Sequence, residues 1–180
     1  MAKYVLFVEG ADAVRVGLGP LLAQGVGRGA VMVKAVGDIN RTIKRFLDEI
    51  QQPLFPGTTP LLLIDLDGPA TTVPAVLAAK SLTPHAAHTF WMVQEMEAWF
   101  LAQPTVIDRV FKKPVSAHLP KTPPDAVNKP GDELTKATKT ARAEPYHKTS
   151  HPPDLLPRLD LPALRRVFPD VERLLVVLTT

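Results

Sequence analysis

The amino-acid sequence predicts an α/β fold in which a four-stranded parallel sheet is flanked by helices. Short apolar runs alternate with helical patterns four times in the N-terminal part of the chain, as expected of strands joined by right-handed helical crossovers. The runs are nearly continuous in apolar residues, which is typical of parallel strands buried on both faces. Acidic residues follow three of these runs, at the edge where open α/β sheets bind their ligands.

The first strand is predicted over residues 3–8, which are mostly aromatic, β-branched or otherwise apolar. Gly10 permits the turn that leaves the strand, and Asp12 is expected to cap the following helix. Pro20 is expected to shorten or kink this helix, because proline removes a helical hydrogen bond. The apolar positions that share one face of the helix are Val14, Leu18, Leu21 and Leu22.

The second strand is predicted over residues 30–36, and Asp38 is expected to cap the next helix. That helix has the clearest amphipathic pattern in the chain. Its apolar positions are Ile39, Ile43, Phe46, Leu47 and Ile50.

The third strand is predicted over residues 61–66, and a short helix over residues 71–80 follows it. Pro74 lies in the first turn of that helix, where proline is tolerated. The fourth strand is predicted over residues 87–93, and the chain then opens another helix at residues 94–97.

The composition changes after residue 103, since twelve of the nineteen prolines lie from Pro104 to Pro169. Residues 114–153 show no convincing apolar periodicity and are therefore predicted to be either disordered or a functional loop, apart from a short helix near residues 132–143. Residues 161–178 recover helical periodicity, which predicts two short helices broken at Pro169 and docked onto the sheet. We predict a single domain over residues 1–180, with an α/β core (1–103), a Pro/Lys-rich basic segment (104–153) and C-terminal helices (154–180).

The net charge is +3 at neutral pH, and it is unevenly distributed. Residues 111–150 hold eight Lys or Arg against four acids, which leaves +4 in this segment and −1 elsewhere. Such a segment could face nucleic acid, although charge alone favours a solvated loop that keeps the protein soluble. The residues predicted to bind nucleic acid are Lys112, Lys113, Lys136, Lys139 and Arg142.

Several classes of protein are excluded by composition. The chain has no cysteine, so it can form neither disulfides nor thiolate metal sites. Its apolar runs are too short to span a bilayer, and residues 1–5 lead into a strand without a signal-peptide cleavage region. The sequence therefore predicts a cytoplasmic protein without membrane contact.

Acidic residues follow the predicted strands at positions that would meet on one edge of the sheet. Glu9 could approach Asp65 and Asp67 only if the first and third strands are neighbours, which predicts the strand order 2-1-3-4. If the strand stays extended, Asp65 and Asp67 share a side; the alternative is that Asp67 forms a turn with Gly68. Two close carboxylates repel unless a proton or a cation relieves them. Oxygen ligands of this kind suit Mg²⁺. For Glu95 and Glu97 the alternative is a preference of acids for the first turn of a helix.

Two sequence motifs resemble those of a known family. Residues 8–12 (VEGAD) and 64–68 (IDLDG) resemble the two motifs of the Toprim domain of topoisomerases, bacterial primases and OLD-type (overcoming lysogenization defect) nucleases. Residues 93–100 (VQEMEAWF) resemble the H-E-F-E-A-L-L-F-like segment of a family of small Toprim-like bacterial proteins, domain of unknown function 4276. Residues 146–148 (YHK) and the helical C-terminus also fit that family, so the resemblance covers nearly the whole chain. Gln94 departs from the pattern, in which histidine is expected.

The resemblance implies a Toprim/Rossmann-like fold and a metal-dependent site that acts on the phosphodiesters of nucleic acid. Glu9 would act as a general acid/base or metal ligand, and Asp65 and Asp67 would hold Mg²⁺ or Mn²⁺. Glu97, or else Glu95, would supply a second metal position. Lys148 would stabilise the transition state, with a surface lysine on a loop as the alternative.

The same resemblance implies a nuclease or related enzyme in defence or DNA processing, with an ATPase partner. Two alternatives stay open from the sequence. The first is a non-catalytic subunit that binds nucleic acid through the basic segment, and the second is a regulatory partner of an ATPase that uses its apolar C-terminal helices.

Overall fold

A four-stranded, all-parallel sheet forms the centre of the computed structural model, which describes residues 2–180. The strand order is β2-β1-β3-β4, which confirms the predicted order. Because β1 lies between β2 and β3, the point at which the strand order reverses falls between β1 and β3. The strands are Tyr4–Val8 (β1), Val31–Ala35 (β2), Thr59–Asp65 (β3) and Thr89–Met92 (β4).

Helices cover both faces of this sheet, as predicted for the α/β class. The part of the chain that the structure describes contains nine α-helices, with short 3₁₀ turns between some of them. The helices are Asp12–Val26 (α1), Ile39–Gln51 (α2), Val73–Ala79 (α3), Glu97–Leu101 (α4), Pro104–Phe111 (α5), Pro130–Thr140 (α6), Pro152–Leu155 (α7), Leu161–Val167 (α8) and Pro169–Thr179 (α9).

The two faces of the sheet carry separate apolar cores, because side chains alternate along a strand. Leu6 and Leu63 face the larger core, which α1 and the helices from α4 to α9 cover. Phe7 and Leu62 face the smaller core, to which α2 contributes Phe46. The near-continuous apolar runs of the sequence are thus explained by burial on both faces.

The predictions for the two helix starts had different outcomes. Asp38 caps α2 as predicted, since its carboxylate accepts a hydrogen bond from the backbone N–H of Arg41 at 3.0 Å. The prediction that Asp12 caps α1 is wrong: the cap residue is Ala11, which has the extended backbone of a cap but no side-chain acceptor. Asp12 is instead the first helical residue, and it pairs with Arg15.

Helix α1 continues through Pro20 to Val26 rather than ending there. Proline deprives the carbonyl four residues earlier, that of Val16, of its helical partner. Both Pro20 and Val16 are exposed, so water can bind the freed carbonyl. Exposure on this side of the helix is therefore what makes the proline tolerable.

Residues 114–153 differ from the disordered segment or loop that was predicted for them. They contain α6 and the start of α7, they follow directly after α5, and α6 covers most of the short helix predicted near residues 132–143. Val106, Leu134 and Tyr146 are each at most 5% exposed and join the larger core. These buried residues are separated by prolines and turns, so they create no periodic pattern in the sequence.

The two predicted C-terminal helices are present, with the break between α8 and α9 at Phe168–Pro169. Helix α9 packs against β4 and α1 and buries Val171, Leu174, Leu175 and Leu178. Over residues 2–180, every helix is too short or too polar to cross a bilayer.

Candidate functional site

Glu9 and Asp65 meet at the carboxyl edge of the sheet, where β1 and β3 end side by side. The backbone N–H of Asp65 donates to Oε2 of Glu9 at 3.3 Å. One carboxylate oxygen of Asp65 accepts a hydrogen bond from the backbone N–H of Met96 at 2.8 Å. Asp65 therefore connects the end of β3 to the turn that precedes α4, and Glu9 is held against it by the neighbouring strand.

The surroundings of this pair disfavour its negative charge. Burial raises the pKa of Asp65 well above its usual range, and the nearby carboxylates of Glu9 and Glu97 raise it further. Burial also raises the pKa of Glu9, and it outweighs the hydrogen bond from the Asp65 backbone, which favours the charged form. In their charged forms the two carboxylates therefore carry an electrostatic cost that a bound proton or cation would reduce.

Asp67 lies at a turn rather than on the strand, so the expectation that it shares a side of an extended strand with Asp65 is wrong. Strand β3 ends at Asp65, and Asp67 adopts a left-handed backbone with φ of 53°. Its N–H donates to the carbonyl of Gln94 at 2.8 Å, and the N–H of Gln94 donates to Gly68 at 2.9 Å. The side chain of Asp67 is exposed, and its charge still contributes to the raised pKa values of Glu9 and Asp65.

Glu97 points into the protein and contacts Tyr146. The hydroxyl of Tyr146 donates to Oε1 of Glu97 at 2.8 Å, and the two residues are 3% and 2% exposed, respectively. Burial raises the pKa of Glu97, whereas the charge of Lys148 and the hydrogen bond from Tyr146 lower it. Burial also raises the pKa of Tyr146 far above its usual value, so its hydroxyl stays protonated and remains a donor.

Glu95 holds Lys148 and the first turn of α6. The ammonium group of Lys148 lies 2.9 Å from Oε1 of Glu95, and the backbone N–H of Gly131 donates to Oε2 at 3.0 Å. Glycine at position 131 leaves room for this contact, because an added Cβ would lie 2.8 Å from Cε of Lys148 and the lysine side chain would have to shift. Partial burial would lower the pKa of Lys148, but the hydrogen bond to Glu95 and the charges of Glu97, Glu95 and Asp65 raise it overall.

A polar pocket of about 220 Å³ opens beside these residues, lined by Asp67, Gln94, Glu95, Asn128 and Lys129. Three of these five residues have a left-handed backbone: Asp67 (φ 53°), Gln94 (φ 62°) and Lys129 (φ 53°). Such conformations cost energy outside glycine and persist where the surrounding structure enforces them. Gln94, the position where histidine was expected, is 7% exposed, and its side-chain amide lies 3.4 Å from the carbonyl of Asp125.

The donor set suits a cation that takes few protein ligands. Among residues 2–180, no three acidic or histidine side chains are close enough together to surround one metal ion. Mg²⁺ usually takes one or two carboxylates and completes its shell with water and substrate phosphates. Asp65 with Glu9 or Asp67 is compatible with that arrangement, whereas Oε1 of Glu97 already binds the Tyr146 hydroxyl.

The residues predicted to bind nucleic acid are exposed but lie on several elements. Lys136 and Lys139 are one turn apart on α6, and Arg142 follows its end. Lys112 and Lys113 follow the end of α5. In the described part of the chain none of these five side chains pairs with the carboxylates at the sheet edge, and Lys136 pairs with Glu133 at 3.9 Å.

Sequence reasoning did not anticipate the roles of Tyr146, Gly131 and the backbone N–H of Met96. Tyr146 appeared only as part of a resembling motif, and no local pattern links it to Glu97, which is 49 positions away. Gly131 follows Pro130 in the first turn of α6 and lies just before the helix predicted from the sequence, so no local pattern indicated its contact with Glu95.

Comparison with known proteins identifies the family of the chain. No curated protein and no solved structure shows significant similarity to it. The sequence profile described as Domain of unknown function (DUF4276) matches residues 15–179. This match spans most of the chain, including β2, β3, β4 and all the elements that bring Glu95, Glu97 and Lys148 to the sheet edge. The protein is therefore a member of the DUF4276 family.

Proposed function

We propose that this protein is a Mg²⁺- or Mn²⁺-dependent enzyme that processes phosphodiesters of nucleic acid, most specifically a nuclease of the Toprim type. The observation that carries the proposal is the contact of Glu9 with Asp65 at the carboxyl edge of the sheet, where the strand order reverses. Open α/β sheets bind their ligands at this position. The resemblance of residues 8–12 and 64–68 to the Toprim motifs supports the same assignment.

In this proposal Asp65 and either Glu9 or Asp67 would hold the cation. The cation would polarise a phosphate oxygen and offset the charge that develops on it. The hydrogen bond from Met96 fixes the orientation of Asp65, and the exposed side chain of Asp67 is free to turn towards a ligand in the adjoining pocket.

Glu9 and Lys148 would provide the remaining chemistry. The raised pKa of Glu9 suits a group that takes a proton from water near neutral pH. The Lys148 ammonium is half-exposed and lies against Glu95, so it could also contact a phosphate oxygen and stabilise negative charge there. The exposed lysines of α6 and those that follow the end of α5 would attract the polyanionic substrate over a longer range.

Cleavage assays test the proposal. DNA and RNA are incubated with Mg²⁺ or Mn²⁺ and the wild type, Glu9→Gln or Asp65→Asn. The wild type is expected to cleave one of the polymers, and each substitution is expected to lower the rate at least about 100-fold, as is typical for loss of a group that acts on the reacting atoms. Asp48→Asn is the matched control, because Asp48 is a partly exposed acid of α2 that pairs with Lys44 outside the cluster. Equal rates in all four proteins would contradict the assignment.

Calorimetry tests the metal site without relying on turnover. Mg²⁺ is expected to bind the wild type and to bind Asp65→Asn at least about tenfold more weakly, since one of its few protein ligands would be lost. Binding that is unchanged in Asp65→Asn, or absent from the wild type, would count against this site.

A second candidate function is a non-catalytic subunit that binds nucleic acid beside an ATPase in a defence system. It is favoured by the full pairing of Glu95 with Lys148 and of Glu97 with Tyr146, which leaves fewer carboxylates for metal. Binding that weakens steeply with salt, without cleavage, would support it. Lys136→Gln combined with Lys139→Gln would then reduce the salt dependence, whereas Asp65→Asn would leave binding unchanged or strengthen it.

A further inference from the structure

Strand β2 forms an open edge of the sheet. Within residues 2–180 its only strand partner is β1. The carbonyl of Ala30 and the N–H of Val36 point towards β1. Because backbone direction alternates along a strand, the N–H and C=O groups of Val31, Val33 and Ala35 point outward. An edge of this kind is a template for pairing with another strand.

An apolar groove runs along this edge, between β2 and α1. It encloses about 300 Å³ and is lined by small or apolar residues that include Gly19, Ala23, Val26 and Val33. At Gly19 an added Cβ would meet no atom within 4 Å. Val16 lies on the same face of α1 and is 52% exposed. The edge of β2 and the neighbouring face of α1 thus form one continuous surface, which we call the β2–α1 surface.

Lysine on an edge strand commonly prevents such pairing, but Lys34 does not cover this surface. Its ammonium lies 4.8 Å from the ring centre of Phe55, which packs with the core on the opposite face of the sheet. The side chain of Lys34 is therefore directed away from the groove.

The charges at the two ends of the β2–α1 surface are complementary to each other. Asp12 lies at the end where β2 finishes, beside Ala35 and Arg15. Arg15 of the same chain contacts Oδ1 of Asp12 at 3.1 Å, and the Asp12 side chain is 83% exposed, so its second carboxylate oxygen is open to a partner. Arg28 lies at the opposite end, beside Val31. If β2 pairs with a second β2 in the antiparallel direction, Val31 of one copy lies opposite Ala35 of the other, so Arg28 of each copy approaches Asp12 of the other.

We propose that the occupant of the β2–α1 surface is a second copy of this chain, which forms a two-fold symmetric dimer with one sheet continuous across both subunits. The two-fold axis passes near Val33, the middle residue of β2, and near Gly19, the middle residue of α1. Val31, Val33 and Ala35 exchange backbone hydrogen bonds with the partner strand, and the absence of a side chain at Gly19 lets the two α1 helices approach. Such self-complementarity is the requirement for a two-fold interface.

Sedimentation equilibrium of the full chain tests the dimer. The wild type is expected to approach twice the chain mass of 19.6 kDa as concentration rises. Gly19→Glu places two like charges at the axis, so it is expected to raise the dissociation constant at least about tenfold. It should not harm the fold, since glutamate favours a helix more than glycine does. Val176→Glu adds the same charge at an exposed apolar site on α9 and should leave the dimer intact.

A charge exchange tests the orientation of the two copies. Asp12→Lys and Arg28→Glu should each weaken the homodimer, because each brings like charges together at both ends of the interface. An equimolar mixture of the two variants should form a dimer again, since every end contact is then between opposite charges. A monomeric wild type would overturn the proposal and leave the edge to a different chain. A dimer that resists Gly19→Glu, or a mixture that fails to restore association, would overturn it as well.

Discussion

At the scale of single residues, Asp65 combines the features that make it the centre of the candidate site. It ends a buried strand, accepts a hydrogen bond from Met96 and donates its own N–H to Glu9. Burial and the neighbouring carboxylates disfavour the charged form of Asp65, and burial disfavours that of Glu9. Ionisation of the two groups therefore reduces the stability of the fold, and the proposed cation would offset this cost.

The raised pKa of Asp65 predicts a specific dependence of stability on pH. Its carboxyl group binds a proton more tightly in the folded than in the unfolded protein, so protonation favours folding. This contribution is fully present below the ordinary value of 3.8 and is lost as the pH rises through the raised pKa of the folded state. Asp65→Asn keeps the acceptor for Met96 and removes the charge. It is therefore expected to increase the free energy of unfolding at neutral pH, by about 1.4 kcal/mol for each unit by which the pKa is raised.

Urea denaturation at several pH values without divalent cations measures this effect. The difference between Asp65→Asn and the wild type should shrink towards low pH. A difference that stays constant from acidic to neutral pH would show that the charge of Asp65 is not destabilising.

Tyr146→Phe is expected to destabilise the fold by about 1–3 kcal/mol, because it leaves a buried carboxylate oxygen of Glu97 without its donor. Urea denaturation of the variant and the wild type measures this difference in the free energy of unfolding. In a Glu97→Gln background the same substitution should cost less, since a neutral amide is less costly to leave unpaired. Equal costs in the two backgrounds would mean that the charge of Glu97 contributes nothing to the pair.

At the scale of elements, the backbone conformation at a helix start decides whether an aspartate caps the helix, and the packing around a helix decides what a glycine contributes. Asp38 and Asp12 occupy similar places after strands, but only Asp38 has the cap conformation and accepts a backbone hydrogen bond. In α1, glycine occurs both where the helix touches α7 and where it faces the open groove. The sequence alone does not distinguish Gly17 from Gly19, whereas in the structure Gly17 is in close contact with Leu156 and Gly19 faces open space.

Asp38→Ala is therefore expected to lower the midpoint of urea denaturation clearly more than Asp12→Ala does. Loss of Asp38 leaves the Arg41 N–H at the start of α2 without its side-chain acceptor, whereas loss of Asp12 removes only an exposed ion pair with Arg15. The pKa of Asp38 is lowered, chiefly by the Arg41 hydrogen bond, so its stabilising effect should disappear as the pH falls through that lowered value. Equal midpoints would contradict the assignment of the cap.

The two glycines of α1 give a matched pair of alanine substitutions. At Gly17 a Cβ would lie 2.8 Å from Leu156 and 2.9 Å from the carbonyl of Pro152, so Gly17→Ala should destabilise the fold by forcing α7 away. At Gly19 the space is open, so Gly19→Ala should stabilise it by about 0.5–1 kcal/mol through helix propensity. Chemical denaturation at a protein concentration low enough to keep the chain monomeric compares them, because dimerisation would add to the measured stability. Equal signs for the two changes would contradict the packing of α1 on α7.

At the scale of the whole molecule, residues 104–153 belong to the same apolar core as the sheet. Tyr146 donates its backbone N–H to the buried hydroxyl of Thr138, and its ring packs beside Phe100 of α4. The site depends on this arrangement, because Lys148 and Gly131 both reach Glu95 from this segment. A segment whose composition suggests disorder is thus required to complete the sheet edge.

Hydrogen exchange tests this integration. The amides of Leu134, Ala137 and Tyr146 are expected to exchange nearly as slowly as those of β3, because opening them requires disruption of the shared core. The exposed Thr140–Arg142 turn should exchange faster and serves as an internal control. Fast exchange throughout residues 130–146 would show that this segment folds independently of the sheet.

The sequence by itself determined the α/β class and the four strands, which follow from local periodicity. The strand order and the approach of Glu9 to Asp65 were predicted together, since the order was inferred from the condition that these acids meet on one edge, and the structure confirms both. The sequence also determined the Asp38 cap and the break between α8 and α9, since both depend on residues adjacent in the chain.

Only the tertiary structure decided the rest of the site. The turn at Asp67 depends on hydrogen bonds with a residue that follows β4. Glu97 points inward because Tyr146 donates a hydrogen bond to it. Lys148 is positioned by its ion pair with Glu95 and by the space that Gly131 leaves. The folding of residues 104–153 likewise depends on single apolar residues that pack against distant helices. Contacts between residues far apart in the chain leave no periodic signal, because their energy comes from surfaces that exist only after the chain has folded.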